Sequence, residues 1–347
     1  MLKINSKIRS QRKLQSIFKK ITTAKYVLTT SSARNGLYLI IKSLNLSGTE
    51  IILPGFICAS IPAVLMRLNV KPVFVDVDHS FTIKTNNIKG LINENTSAII
   101  AVHTYGNAAD IESISCIAKK SNIILIEDLA HSIGNKYKGR NLGSFSDYSI
   151  YSLPKHIIAY EGGMVTTKSV ERFEKLKKCL TELNEKKIGF SKYIYISALK
   201  IYRGIVSINS HKDIYFLRLL HVLIKNMMIY LSNDIQPVDN KFINDFKINK
   251  FSMNFCCSQL NNFNNILNRR RINYNKLKNK YSSFRQQEIR SEISCPPSYF
   301  SILNPDKLDL KKDGFIKAWP NYHKRSEYIE KYGLINLPMT EYLAENL

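Results

Sequence analysis

Acidic residues are scarce in this chain. Its 347 residues contain 27 Asp and Glu against 51 Lys and Arg, a formal net charge of +24 at pH 7. Residues 1 to 20 contain no acid at all. A positive balance of this size favours polyanions, anionic lipid or phosphorylated substrates as partners. It does not bear on the fold.

Long apolar runs are missing as well. No continuous apolar segment follows the basic residues at the N-terminus, which excludes a secretory signal peptide. The longest apolar zone, residues 214–231, is interrupted by four polar residues: Arg218, His221, Lys225 and Asn226. A spanning helix needs about 20 predominantly apolar residues. We therefore expect helix packing or interfacial contact in this zone.

The six cysteines show neither a CxxC spacing nor a dense framework. This pattern excludes a zinc ribbon and a disulfide-stapled scaffold, and it fits reduced thiols. Cys256 and Cys257 are adjacent in the chain, which makes them poor partners in one zinc site. We expect a cytoplasmic protein without a metal site.

The basic N-terminal segment interleaves apolar residues with its Lys and Arg. One interpretation is an amphipathic helix at the inner face of the membrane, which would make the protein peripheral. The other is a solvated leader whose apolar side packs on the body of the protein. We favour the packing interpretation.

The hydrophobic pattern of residues 25 to 170 alternates between that of buried strands and that of helices. Apolar runs typical of buried parallel strands occupy 51–54, 72–77, 97–106 and 122–130. Helical patterns lie between them at 33–45, 58–69 and 110–122. This alternation predicts an open α/β sheet with helices on both faces, whose ligands bind at the carboxyl ends of the strands.

The pattern changes after residue 170. A single long helix is predicted from about 255 to 284, followed by short strands that suggest a smaller α+β domain. We predict three parts: a basic N-terminal arm (1–24), a large domain (25–235) and a small C-terminal domain (236–347).

Four short stretches carry candidate chemistry at the predicted strand ends. Residues 29–37 run from hydroxyl side chains into a helix, whose N-terminus would hold a phosphate or simply carry a Ser cap. Asp128 and His131 follow an apolar strand, where a carboxylate is costly without a cationic partner. Further on come Ser149, Ser152 and Lys155, and then Gly162 and Gly163, which permit a tight turn or close backbone approach.

These elements together match what pyridoxal phosphate (PLP) requires. A lysine forms the Schiff base, a carboxylate keeps the pyridine nitrogen protonated, and a helix N-terminus with hydroxyl groups holds the phosphate. Each element is weak alone, and their order along the chain is what points to the cofactor.

The order and spacing resemble those of the DegT/DnrJ/StrS family of PLP-dependent sugar aminotransferases, within the aspartate aminotransferase superfamily. The resemblance runs from about residue 25 to the C-terminus. It is carried by these motifs: SSARNGL, EIILPGFICASIPAVL, KPVFVDVD, VHTYGNAADI, IEDLAHSIG, YKGRNLGSFSDYSIYSLPKHIIAYEGGMVTT and, more faintly, NRRRINYNKL and INLP. It implies a three-layer α/β/α fold (fold type I) with a mostly parallel sheet and a smaller α+β domain.

The resemblance also implies roles for single residues. Lys155 would be the Schiff-base lysine and proton shuttle, and Asp128 the partner of the pyridine nitrogen. His131 stands where the family commonly has Gln, near the phenolic oxygen. The remaining cofactor contacts would be backbone N–H groups of Ala33 and Arg34, a hydroxyl of either Ser149 or Ser152, and the stacking ring of Phe56.

The chain departs from the family pattern in places. Ala33-Arg34 replace the usual Gly-Thr at the phosphate turn, and Tyr160 replaces a small residue before Glu161. KFSM (250–253) stands where many relatives read Asn-Tyr-Arg-Met in a segment contributed by a neighbouring subunit. These departures concern substrate handling and leave the PLP chemistry intact.

The resemblance implies an aminotransferase that moves an amino group from an amino acid, usually glutamate, to a keto sugar that is typically nucleotide-linked. Such enzymes serve amino-sugar or surface-polysaccharide biosynthesis, including lipopolysaccharide, and their sites are shared across a homodimer. A family dehydratase would carry His in place of Lys155. The non-enzyme alternative is a basic protein that binds a membrane surface; we expect no nucleic-acid partner, because the chain lacks the motifs of such proteins.

Overall fold

The computed structural model describes residues 2–183, 247–283, 285–295, 299–303, 316–317 and 334–338. Its helices are α1 (Leu2–Thr22), α2 (Ala33–Ser43), α3 (Ser60–Arg67), α4 (Ile111–Lys120), α5 (Val170–Thr181), α6 (Lys250–Leu260) and α7 (Phe263–Lys280). The strands of the large sheet are β1 (Tyr26–Thr30), β2 (Glu50–Pro54), β3 (Lys71–Val75), β4 (Thr96–Val102), β5 (Ile124–Asp128), β8 (Tyr148–Ser152) and β9 (Gly163–Thr167). A small hairpin joins β6 (Lys136–Tyr137) to β7 (Arg140–Asn141).

The large sheet has the strand order β1-β9-β8-β5-β4-β2-β3. Neighbouring strands pair in parallel except around β9, which is antiparallel to both β8 and β1. The carboxyl ends of β1, β4, β5 and β8 therefore share one edge with the first residue of β9. This confirms the prediction of a mostly parallel sheet and collects the candidate chemistry at that edge.

Two apolar cores lie on opposite faces of the sheet. On one face α2, α3 and α5 pack on alternate strand residues such as Ile126 and Ile150. On the other face α1, α4 and α6 pack on residues such as Ile99 and Leu125. Because successive side chains of a strand point to opposite faces, the apolar runs of the sequence bury both sides. The result is the predicted arrangement of three layers.

Helix α1 buries its apolar side in the body of the protein. Leu14 and Phe18 have no exposed surface, and the Phe18 ring meets Tyr151 edge-on at 5.0 Å between centroids. The Gln15 side chain donates to the Val27 carbonyl at 2.9 Å. The packing interpretation is confirmed for Leu14 and Phe18. None of the helices that the structure describes is long and apolar enough to cross a membrane.

The predicted single helix near the C-terminus is wrong in one respect. The chain forms two helices, α6 and α7, with a break at Asn261 and Asn262. Asn competes for local backbone hydrogen bonds and favours helix ends over helix interiors, which explains the break.

A second, antiparallel sheet follows with the order β10-β11-β13-β12. Its strands are β10 (Arg285–Gln286), β11 (Tyr299–Leu303), β12 (Ile316–Lys317) and β13 (Leu334–Pro338). The predicted boundary between 235 and 236 and the apolar zone 214–231 lie outside the described residues, so the domain limits stay predictions.

Candidate active site

The stretches singled out in the sequence meet at the shared edge of the sheet. The Gly162 N–H donates to the Ser31 carbonyl at 2.7 Å, and the Leu153 N–H donates to the Gly162 carbonyl at 2.8 Å. The loop before α2 and the turn that ends at Lys155 are thus joined through the paired glycines. A Cβ on Gly163 would lie 2.2 Å from the Ser32 carbonyl carbon, so this close approach requires glycine. The predicted close backbone approach is confirmed.

The N-terminus of α2 opens onto this junction. The Ser32 side chain accepts a hydrogen bond from the Asn35 N–H at 3.2 Å and caps the helix. Ala33 and Arg34 are its first residues and lie at the end of the helix where the positive end of the helix dipole is located. Burial lowers the pKa of the Arg34 guanidinium, and a bound anion would offset that effect.

Asp128 ends β5 with its carboxylate buried. The carboxylate accepts from the Ala130 N–H at 2.9 Å. Burial raises the pKa of Asp128, while the Ala130 hydrogen bond and the positive charge of Lys155 act in the opposite direction. A cation placed against this carboxylate would recover the free energy lost on burial.

A second buried acid, Glu127, anchors the end of β5, and the sequence analysis did not assign it a role. It has no exposed surface, and its oxygens accept from His103 Nε2 at 3.1 Å, Gly143 N at 2.9 Å and Ser146 Oγ at 2.7 Å. Burial alone would raise the pKa of Glu127, but these hydrogen bonds hold it below its ordinary value. An acid within an otherwise apolar strand is the signal that could have identified this support.

His103 completes that support from the end of β4. Its Nδ1 accepts from the Ala109 N–H at 3.2 Å, so the proton lies on Nε2 and is donated to Glu127. The His103 backbone N–H also donates to the Asp128 carbonyl at 3.1 Å. His103 therefore holds the end of β5 through two contacts, one to the Asp128 main chain and one to the Glu127 side chain.

His131 lies beside an aromatic residue that the sequence analysis did not single out. Its ring stacks on Tyr105 with 5.8 Å between centroids, and Tyr105 has a left-handed backbone with φ of 58°. Such a conformation is unfavourable for a bulky side chain and is often found at functional sites. Burial and then the charges of Lys155 and Arg270 lower the pKa of His131 well below its ordinary value, so the ring is neutral at pH 7.

Phe56 is fully buried and packs against Tyr105. Its ring has no exposed surface and makes edge contacts with Tyr105 at 5.9 Å and Phe81 at 6.0 Å between centroids. In this arrangement its faces are covered by protein, and a stacking role for Phe56 stays a proposal.

The two candidate serines occupy different faces of β8. Ser149 is buried in the Glu127 network, with its Oγ 3.0 Å from Ser146 Oγ. Ser152 shares its face with Ile150, which packs under α2. It pairs in register with Gly163, whose partner on the other side is Thr30. Of the two serines, Ser152 is the one whose position adjoins the α2 N-terminus.

Lys155 ends a short 3-10 turn (Leu153–Lys155) and is exposed in the single chain. Its charge acts on Asp128, His131 and His156. The Lys155 charge therefore influences the buried Asp128 carboxylate, and the roles of both residues stay predictions.

Helices α6 and α7 hold the loop that follows Lys155. The Gln259 amide accepts from the Ile158 N–H at 3.1 Å and donates to the Ile158 carbonyl at 2.7 Å. The Glu161 carboxylate accepts from the Asn249 N–H at 2.8 Å. Arg270 Nη2 lies 3.0 Å from His156 Nδ1. These contacts link residues distant in sequence, so the sequence analysis missed them.

The arrangement fits PLP. A lysine amine, a buried carboxylate in need of a cation and a helix N-terminus beside a glycine contact lie at one sheet edge. The close contact of Gly163 with Ser32 fixes the loop that precedes α2, and a phosphate at the N-terminus of that helix would gain from the helix dipole. No single residue of this set indicates the cofactor; their placement together does.

Comparisons with known proteins agree with this arrangement. The model of the DegT/DnrJ/EryC1/StrS aminotransferase family matches residues 5–201. A GDP-perosamine synthase of Escherichia coli O157:H7 is 34% identical over 168 residues, covering 47% of this chain and 46% of that protein. A pleiotropic regulatory protein of Geobacillus stearothermophilus is 33% identical over 171 residues, covering 48% and 46% respectively.

The fold extends further than the sequence similarity. A DegT DnrJ EryC1 StrS aminotransferase from Brucella abortus superposes with a TM-score of 0.71 at 18% identity, covering 97% of this chain and 87% of that one. This likeness confirms the predicted fold type I architecture. By sequence, however, the chain spans about half the length of the curated relatives it matches.

Proposed function

Because the chain belongs to the DegT/DnrJ/EryC1/StrS aminotransferase family, we propose that it is a PLP-dependent aminotransferase acting on a keto sugar. The observation that carries the proposal is the meeting of three groups at one sheet edge. These are the Lys155 amine, the buried Asp128 carboxylate and the α2 N-terminus beside Gly163. Bound PLP would supply an electron sink for the carbon that loses its proton.

The protein's own residues take defined parts. Lys155 would hold the cofactor covalently through its Nζ and, when free, would carry a proton at that atom. Asp128 would accept a hydrogen bond from a protonated ring nitrogen, which would supply the cation that its burial calls for. The neutral His131 ring, which stacks on Tyr105, would contact the cofactor ring.

The phosphate would be held by main-chain groups. Its contacts would be the N–H groups of Ala33 and Arg34 at the α2 N-terminus and the hydroxyl of Ser152, and the partial positive charge of the helix end would stabilise the anion. Arg34 adds a guanidinium whose pKa is lowered by burial, so an anion beside it is stabilised. Arg34 thus places a cation where the family usually has an uncharged Thr.

The substrate is proposed by class. The amino donor is an amino acid, and we take glutamate as the first to test. The acceptor is a keto sugar, and a nucleotide-linked one is supported by the similarity to a GDP-perosamine synthase. The pathway class is amino-sugar or surface-polysaccharide biosynthesis. The excess of 51 Lys and Arg over 27 Asp and Glu suits a substrate that carries phosphate.

We propose a cytoplasmic homodimer as the working form. All six cysteines are free, which fits a reducing compartment. Lys155 and its neighbour Tyr160, 45% of whose surface is accessible, are exposed in the single chain. A site that handles a Schiff base benefits from the exclusion of water, and a second copy lying over this edge would provide it.

The test is the visible spectrum of the purified protein with PLP, compared with Lys155→Ala, before and after glutamate. A cofactor band that needs Lys155 and bleaches with glutamate is the expected result. Lys136→Ala serves as the control, because Lys136 is an exposed lysine on the β6–β7 hairpin. A band equally strong in Lys155→Ala, or none in either protein, would overturn the proposal.

A further inference from the structure

His156, the residue directly after the lysine, is 8% exposed and bridges two parts of the chain. Its Nδ1 lies 3.0 Å from Arg270 Nη2, and its Nε2 lies 3.1 Å from the Ala130 carbonyl oxygen. A guanidinium can only donate, so Nδ1 is the unprotonated acceptor. The ring proton is therefore on Nε2 and is donated to the Ala130 carbonyl at 3.1 Å, which is nearer to this nitrogen than the Ile133 N–H at 3.5 Å. This assignment uses both nitrogens of a neutral imidazole.

The Ala130 end of this bridge belongs to the turn that orients Asp128. The Ala130 N–H donates to the Asp128 carboxylate at 2.9 Å, while its carbonyl receives the His156 proton. One peptide residue thus connects the imidazole to the carboxylate. On the other side, His156 is bonded to Lys155 through the main chain. The imidazole is thus linked by the main chain to Lys155 and by hydrogen bonds through Ala130 to Asp128.

The Arg270 end comes from α7. Arg270 is 5% exposed, and its charge acts on both His131 and His156. Burial, then Arg270, then His131 lower the pKa of His156, with Lys155 adding to the effect and the Ala130 hydrogen bond opposing it. A protonated imidazole would have no acceptor to offer Arg270. The surroundings therefore keep His156 in the one form that can make both contacts.

We propose that His156 and Arg270 are positioning residues that hold the Lys155 amine at a working distance from the Asp128 carboxylate. The inference rests on the proposed function, since it concerns the same lysine. It assigns this task to a residue beside the lysine and to a helix from the C-terminal part of the chain. Neither residue needs to touch the cofactor or the substrate.

The sharpest test compares His156→Gln with His156→Asn. A Gln amide can donate to the Ala130 carbonyl from the position of Nε2 and turn its oxygen toward Arg270, whereas the shorter Asn amide reaches only Arg270 and loses the Ala130 contact. The readouts are the rate at which borohydride fixes PLP on Lys155 and the glutamate half-reaction followed by the cofactor band. Melting temperatures of the PLP-free proteins show whether each variant is folded.

We expect His156→Gln to stay within about threefold of wild type. The Asn variant should lose about 10- to 100-fold in the half-reaction rate, the loss typical of a reacting group displaced by about 1 Å. The apparent glutamate affinity should change much less, because the loss concerns positioning and not ground-state binding. Arg270→Met should resemble the Asn variant.

Two control variants make the same types of substitution at exposed positions. His79→Asn changes an exposed histidine, and Arg269→Met changes the exposed neighbour of Arg270 on α7; both should match wild type. Equal rates for the Gln and Asn variants at position 156, or a wild-type rate in Arg270→Met, would overturn the inference. If wild type itself fixed no PLP on Lys155, the proposed function would fail first, so the two failures are distinguishable.

Discussion

Gly163 lies directly against the backbone of Ser32, at a distance that leaves no room for a Cβ. A Cβ at position 163 would be 2.3 Å from the Ser32 carbonyl oxygen and 2.5 Å from Thr30 Oγ1. The contact joins the start of the one antiparallel strand of the large sheet to the loop that precedes α2. The position of the α2 N-terminus, and with it the proposed phosphate site, depends on this pair.

Gly163→Ala should therefore weaken both folding and cofactor binding. Because the nearest atoms are backbone, they cannot move aside cheaply, and overpacking of this kind costs about 1–3 kcal/mol. Denaturant unfolding of the PLP-free protein measures the stability, and a PLP titration measures the binding. Gly90→Ala is the matched control, since nothing lies within 4 Å of a Cβ there. An alanine at 163 that leaves both quantities unchanged would contradict the close contact.

Alanine substitutions of Ser152 and Ser149 should affect different quantities, the first PLP binding and the second stability. Ser152→Ala should raise the PLP dissociation constant roughly tenfold, the value of one hydrogen bond to a charged group. Ser149→Ala should leave that constant nearly unchanged and lower the free energy of unfolding by about 1 kcal/mol, because Ser149 belongs to the buried Glu127 network. PLP titrations and denaturant unfolding of both variants decide between them. The reverse pattern would assign the phosphate to Ser149.

Asp128→Asn should stabilise the PLP-free chain while it impairs PLP binding. Burial raises the pKa of Asp128 above its ordinary value of 3.8. The folded state therefore retains a proton that the unfolded state has lost, and stability decreases as the pH rises through the folded pKa. At pH 7 the wild type bears the cost of a buried charge, and the neutral amide does not. We therefore expect Asp128→Asn to have the larger free energy of unfolding at pH 7.

The pH dependence is the check on this explanation. Well below pH 3.8 the carboxyl group is neutral in both states, so the advantage of Asp128→Asn should vanish there. Unfolding curves at pH 7 and at low pH measure the difference directly. Asp76→Asn, a change at a half-buried carboxylate elsewhere in the chain, serves as the comparison. A stability difference that did not depend on pH would refute the role of the buried charge.

Much of the site could be predicted from local sequence. The apolar runs before Asp128 and Lys155 predict strands of a mostly parallel sheet, and such strands deliver their following residues to one edge. The Gly162-Gly163 pair predicted a close backbone approach, although its partner, Ser32, could not be identified from the sequence. These features depend on backbone geometry and on neighbours in sequence, which a single chain displays directly.

The contacts that hold the site together could not be predicted in this way. Glu127 forms its hydrogen bond with His103, and Gln259 forms its hydrogen bond with Ile158, only after separate helices and strands have packed. The stacking of Tyr105 on His131 and the choice of face between Ser149 and Ser152 depend on the register and curvature of the sheet. A long helix was expected where two helices form, because two successive Asn residues end one helix and begin the next.

The sequence by itself determined the layered α/β architecture, the edge of the sheet where the chemistry lies, and the identity of Lys155 and Asp128 as its candidates. Periodicity and composition act locally, so they can be read along the chain. Only the tertiary structure decided which groups support those two residues. The bridge from Arg270 through His156 to Ala130 includes a contact between Arg270 and His156, which are 114 residues apart in sequence. Such a contact, and the burial of its groups, exists only once the core has closed around it.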